Sequence, residues 1–312
     1  MTKFNKLIKG GFLGTVGLIG SIFFYTKYST KPHNQSIPPF FSKPAPYIFA
    51  HRGGMAVRPE QTKLAFDNAV AHEIDGFETD VRLTKDHELV VFYDNDVDRT
   101  TNGSGKISEH TLAELKQLDA GYHFTDINGV QPYRGHEDAK ILTFDELLKT
   151  YPNQLISVNL QDDPKSEQGQ LAPEIIYEII VANNAQQRVL VSSFYSKQIE
   201  RFNIISNGTV ATGASQNEVI EGLLKFYTGL GNTFQPRANT FQLFVSFKGI
   251  KLTSPKFIKW LNERNIVPGY CGVNNLDLMN DLVFYGAHTL VCLLYTSPSP
   301  RDRLVVGSVR CV

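Results

Sequence analysis

The chain has 312 residues with 31 basic and 31 acidic side chains, so its formal net charge is zero, which argues against a broadly basic nucleic-acid binder. Apolar residues make up 42% and charged residues 20%, the balance of a globular protein and not of a disordered one. The three cysteines, Cys271, Cys292 and Cys311, form no paired motif, so neither a disulfide scaffold nor a cysteine zinc site is expected.

Taken from the N-terminus, Lys3, Lys6 and Lys9 precede an uncharged apolar run, GGFLGTVGLIGSIFFY (10–25). As a helix it is about 24 Å long, short for a membrane span but extended by Leu7 and Ile8 if Lys9 snorkels. The lysines predict a cytoplasmic N-terminus, and no A-x-A-like cleavage site follows. Residues 1–28 are therefore expected to be an N-terminal transmembrane helix, holding the rest of the chain on the extracytoplasmic side of the membrane. Residues 29–46, rich in Pro, Ser and Lys, are expected to be a linker.

From Tyr47 short apolar runs alternate with amphipathic stretches. Candidate strands are 47–51, 76–83, 88–93, 155–160, 188–194, 209–213, 240–245, 266–273 and 288–291. Candidate helices are 61–72, 111–118, 143–151, 173–183, 197–206, 217–227, 255–264 and 276–285. Thr143-x-x-Glu146 reads as a capping box, and Ser254-Pro255 places proline at a first helical position. Strand–helix alternation over 47–291 predicts an α/β fold, a (β/α)8 TIM barrel, with a doubly wound sheet as the alternative.

Polar residues gather at the ends of the early strands. His51-Arg52-Gly53-Gly54 closes the first. Glu78 and Asp80 lie two apart in the second, so both side chains project from one face. Paired carboxylates repel unless a cation lies between them, which points to a hard divalent metal, Ca²⁺ or Mg²⁺. Asn159 and Gln161 repeat the two-residue spacing at the end of the 155–160 run. Taken singly, each feature is as well explained by a solvated strand face or a turn; their order and spacing together are more specific.

That ordered set resembles the glycerophosphodiester phosphodiesterase family. The matching text is FAHRGG (49–54), RPEQT (58–62), GFETDVRLTKD (76–86), LVVFYDNDVDRTTNGSGK (89–106), LAELKQLDAGYHF (112–124), PYRG (132–135) and ILTFDELL (141–148). Later segments, SSFY (192–195), SPKFIKWLNERNI (254–266) and GVNNLDLMNDL (272–282), look like its bacterial branch. The resemblance implies a (β/α)8 barrel with a small insertion after the early strands, here 95–140. It implies metal-dependent hydrolysis of a glycerophosphodiester to glycerol 3-phosphate and an alcohol. By resemblance, His51 is the first of two catalytic histidines, Arg52 binds phosphate, and Glu78 and Asp80 are metal ligands.

Three departures fall on functional positions. Tyr93 stands where the family has its second catalytic histidine, and a phenol is a poor base at neutral pH. Asn159 stands for the third metal-binding acid, and Gln161 for the phosphate-binding lysine. Besides these three, Cys271 occupies the place of a family tryptophan, a smaller change in pocket shape. The expected activity is therefore impaired, and the alternative is a membrane-tethered, catalytically inactive relative that binds glycerophosphate headgroups. Sphingomyelinase-D-like phospholipases share this type of barrel, but RTTNG (99–103) and the insertion favour the first family. Finally, CLLYTSPSPRD (292–302) resembles the translation of a transposase-type sequencing-library adapter, so 292–312 are expected to be a non-native tail and the eighth strand to be cut short.

Overall fold

The computed structural model describes residues 35–247 and 249–293. The expected anchor, and nearly all of the adapter-like tail, lie outside them. Among the described residues no helix is long and apolar enough to cross a membrane.

Among the described residues eleven strands follow in chain order: β1 (Tyr47–His51), β2 (Gly76–Leu83), β3 (Leu89–Val91), β4 (Leu155–Leu160), β5 (Val189–Ser192), β6 (Ala211–Thr212), β7 (Thr240–Phe244), β8 (Ser246–Phe247), β9 (Ile250–Lys251), β10 (Val267–Cys271) and β11 (Thr289–Cys292). Eight of them form one parallel path, β6-β5-β4-β2-β1-β11-β10-β7. Its two ends meet through a single parallel bridge, Gly213 to Thr240, so the path closes into the expected barrel. The third apolar run is not a barrel stave. β3 folds back antiparallel on the outer half of β2, with Val81 opposite Val91. From there the chain enters the insertion, which carries its own small core of Val90, Phe92, Val97, Ile107, Leu115, Ala120 and Ile141.

Strand pleat sorts the barrel interior. Tyr47, Phe49 and His51 share the inner face of β1; Ile48 and Ala50 pack outward into the main core with the helices. The N-terminal half of the interior is apolar, with Phe49, Leu155, Leu190, Ala211, Val267 and Val291 in one cluster. The expected linker contributes to it. Phe40 and Phe41, in a short turn Pro39–Phe41, are buried beneath the barrel, Phe40 edge-on to Phe49 with centroids 6.1 Å apart. Burying two aromatic rings against the open end of a barrel outweighs the loop-like composition that marked 29–46 as a linker. At the other boundary β11 runs through Cys292, which is buried and pairs with Ala50, so the strand extends one residue past the expected end at 291.

The helix expected from Pro173 begins earlier, as Glu167–Ala182, capped by Ser166 Oγ accepting from the Gly169 amide. Pro173 lies inside it and cannot donate to the Gly169 carbonyl. Arg201 fills that gap: its Nη1 donates to Gly169 O and to Pro164 O, both at 3.1 Å. Arg201→Ala is expected to cost about 1–3 kcal/mol by stranding these carbonyls. Adding Pro173→Ala should recover part of it by restoring the helical bond, a coupling that urea titration of the single and double variants would measure.

Candidate active site

The C-terminal end of the barrel interior is polar. His51 and Glu78 sit side by side across β1 and β2, Asp80 faces Asn159 across β2 and β4, and Asn159 faces Ser192 across β4 and β5. All the expected site residues except Arg52, Tyr93 and Gln161 are therefore carried on β-ladders, and those three lie just beyond the ends of β1, β3 and β4.

Arg52 is the hub. Nη1 donates to Glu60 Oε1 at 2.9 Å, and Nε lies 3.2 Å from Asp80 Oδ2. The guanidinium carbon lies 3.5 Å from the centroid of the Tyr93 ring. Two non-glycine residues here hold left-handed backbone, Arg52 at φ 50° and Gln61 at φ 61°, and the Gln61 amide donates back to the Arg52 carbonyl. Such strain persists only where the surroundings hold it, and it is common at working sites. Arg99 from the insertion braces Glu60 with Nη1 at 2.9 Å and Nη2 at 2.6 Å from its two oxygens. Burial alone would raise the Glu60 carboxyl, but Arg99 and Arg52 bring it below its usual range.

Glu78 and Asp80 are 6% and 2% exposed, so nearly all of their charge must be met by protein groups. Asn159 Nδ2 donates to Glu78 Oε1 at 2.5 Å and to Asp80 Oδ1 at 3.4 Å. Gln161 Nε2 donates to Asp80 Oδ1 at 2.5 Å, and Gln61 Nε2 to Asp80 Oδ2 at 3.0 Å. Glu78 Oε2 is buried and accepts no hydrogen bond. Burial first, and then the neighbouring Asp80, hold the Glu78 carboxyl well above its usual range; burial raises Asp80 as well. The same carboxylates, after burial, raise the Cys271 thiol. His51 Nε2 lies 3.6 Å from Glu78 Oε2, and burial with the Arg52 charge lowers its pKa to about 4, so the ring is neutral at physiological pH.

A pair of repelling carboxylates with one oxygen unmet is the donor set a hard cation would complete. The residues fit a divalent ion with one qualification. Among the described residues no group of three His, Cys, Asp or Glu side chains is disposed to hold a metal ion, so a third donor would be a neutral one, such as the Asn159 carbonyl oxygen turned inward in place of its amide nitrogen. Asn159 brings no charge, so such a site holds a cation more weakly than three acids would.

A family model, described as the glycerophosphoryl diester phosphodiesterase family, matches residues 51–291. The chain belongs to that family. Bacillus subtilis YhdW, whose name carries a provisional assignment to this activity, is 38% identical over 162 residues, 50% of this chain and 60% of the relative. Matches to four further relatives span only 36–57% of their lengths. Among solved structures, a Mycobacterium tuberculosis phosphodiesterase domain superposes with a TM-score of 0.66 at 21% identity, covering 79% of this chain and 95% of that one. An Oleispira antarctica phosphodiesterase, solved with the product sn-glycerol-3-phosphate, superposes at 0.61 with 22% identity over 79% and 92% of the two chains. At that identity these two establish the shared fold.

Tyr93, Asn159 and Gln161 are each engaged by neighbouring residues. The Tyr93 ring, 38% exposed, covers the face of Arg52. Gln161 and Asn159 turn their amide hydrogens onto the carboxylates. Sequence reasoning passed over Glu60, Gln61 and Arg99 as site residues. Their signals were present in RPEQT and DRTTNG, but nothing in linear order ties residue 99 to residue 60. Asp162, next to Gln161, anchors β2: it accepts from the Leu83 amide at 2.9 Å and from Arg82 Nη1 at 3.2 Å.

Proposed function

We propose that the chain hydrolyses glycerophosphodiesters to glycerol 3-phosphate and an alcohol, at a rate reduced by its substitutions. The observation that carries this reading is the convergence of His51, Arg52, Glu78 and Asp80 at the C-terminal mouth of the barrel, the end where such barrels work. Glu78, Asp80 and Asn159 would hold Ca²⁺ or Mg²⁺, which when bound supplies positive charge against the phosphoryl oxygens. Arg52, held between Glu60 and Asp80, is placed to meet the phosphate charge with a charge-assisted hydrogen bond. Neutral His51 can take a proton at Nε2 from the attacking oxygen as the phosphorus–alcohol bond breaks. The leaving oxygen then takes a proton, which the Tyr93 phenol can donate, although a phenol is a poorer base than histidine for recovering that proton at neutral pH. The apolar run at 10–25 supports a tether to the membrane, with the site on the extracytoplasmic side.

The full chain with glycerophosphocholine and Ca²⁺ or Mg²⁺ is expected to release glycerol 3-phosphate, and His51→Ala to lower the rate by about 10²–10⁴-fold. Equal release from parent and variant would reject hydrolysis.

One observation favours a second reading, a non-catalytic binder of glycerophosphate headgroups. Tyr93, Asn159 and Gln161 are all engaged by their neighbours in ways that use none of the lost chemistry. Calorimetric binding of glycerol 3-phosphate without turnover would support it.

A further inference from the structure

Beside the candidate site lies a second feature that the hydrolytic reading does not use. A groove of about 410 Å³ opens between the loops that follow β5 and β6, lined chiefly by Phe194, Tyr195, Lys197, Glu200, Gln216 and Asn217. Its loops leave the barrel at the same C-terminal end as the site. Ser192, the last residue of β5, pairs with Asn159, and Phe194 lies two residues further on, about 7 Å of extended chain. Its walls are fastened to each other: the Gln216 amide donates to the Phe194 carbonyl, and Ser196 Oγ and Ser215 Oγ are 3.0 Å apart. A groove held in this way exists before any ligand arrives.

The lining chemistry is mixed. Phe194, 64% exposed, stands edge-on to Tyr195, and both present apolar ring surface to solvent. Around them Lys197, Glu200, Gln216 and Asn217 make no side-chain hydrogen bond or ion pair with the described residues, so their donors and acceptors are free. An acyl chain laid here would strip water from four polar side chains and return nothing. A quaternary ammonium would suit the rings and Glu200 but would meet Lys197. A ring or chain bearing several hydroxyls satisfies both halves, its C–H faces on the aromatics and its hydroxyls on the amides and charges.

We propose that this groove is the leaving-group subsite, and that the alcohol it selects is polyhydroxylated, a sugar or polyol. This rests on the phosphodiester reading of the neighbouring site and narrows its substrate class. The glycerophosphoryl half would lie at His51 and Arg52, and the alcohol would extend over Asn159 and Ser192 into the groove.

Calorimetry on the full chain carrying His51→Ala, with Ca²⁺ present, separates the two readings. Glycerophosphoinositol is expected to bind about tenfold more tightly than glycerol 3-phosphate or glycerophosphocholine. Phe194→Ala and Gln216→Ala, both at the surface, should each reduce that preference while leaving glycerol 3-phosphate affinity unchanged. Binding of glycerol 3-phosphate with no inositol preference, or a preference untouched by both variants, overturns the subsite alone. A preference for glycerophosphocholine overturns it in favour of a cation-binding groove. Failure to bind glycerol 3-phosphate at all overturns the phosphodiester reading, and the subsite with it.

Discussion

Tyr93→His, Asn159→Glu and Gln161→Lys combined in one chain are expected to raise kcat/KM for glycerophosphodiesters by at least about 10²-fold, the effect of a single acid–base group. The geometry explains why all three belong together. Replacing Tyr93 uncovers the Arg52 guanidinium, 3.5 Å beneath its ring, and puts an imidazole at the mouth. Asn159→Glu adds a third carboxylate to a buried pair that is already under-compensated at Glu78 Oε2. Alone it should therefore lower thermal stability in EDTA and recover it in millimolar Ca²⁺, because a ligand that binds only the folded state stabilises it. Gln161→Lys brings an ammonium to where Gln161 Nε2 now meets Asp80 Oδ1, offsetting one of those charges. Steady-state release of glycerol 3-phosphate, with the melting temperature followed in parallel, reads both effects. A gain below about tenfold in a folded, cation-responsive triple variant would show that Tyr93, Asn159 and Gln161 are not what limits the parent.

The second large effect concerns stability. Arg52→Ala is expected to destabilise the fold by about 3–5 kcal/mol at neutral pH, the cost of leaving buried charges without their partner. Arg52 is 9% exposed and is the cation nearest Asp80, Glu60 and Glu78 together. Its charge lowers the carboxyl pKa of Glu78 and Asp80 against the burial that raises them. Without it those folded-state values rise further above the unfolded ones. A carboxyl raised in the folded state binds protons there first, so stability recovers as pH falls toward the ordinary carboxylate range. The gap between parent and variant, measured by urea unfolding, should therefore be wide at pH 8 and narrower at pH 5. A gap that is constant with pH would mean that Arg52 contributes packing and not charge. Arg52→Lys keeps a cation but loses the second arm of the guanidinium, and should fall between the two.

Much of the barrel could be read directly from residue order. β1, β2 and β4 run over the expected residues 47–51, 76–83 and 155–160, because strand pattern and flanking turns are local signals. The capping box at Thr143 and Glu146 is present for the same reason, with both of its hydrogen bonds made. Pro173 misled because a proline is a local stop sign, whereas the partner that tolerates it, Arg201, comes from the next helix. Phe40 and Phe41 misled because the surface they cover is assembled from strands far along the chain.

The covalent chain by itself determined that Glu78 and Asp80 share a face, that His51 ends a strand with Arg52 directly after it, and that the pattern matches one family. These are consequences of spacing and of residue type. Only the tertiary structure decided what those residues do to one another. It set Tyr93 on Arg52, Arg99 on Glu60 across 39 positions, and the amides of Asn159, Gln161 and Gln61 on two buried carboxylates. It also formed a polar, ring-lined groove from the loops after β5 and β6. Pairings between distant residues depend on which strands become neighbours when the barrel closes, and desolvation at that closed mouth is what raises the carboxyls and lowers His51.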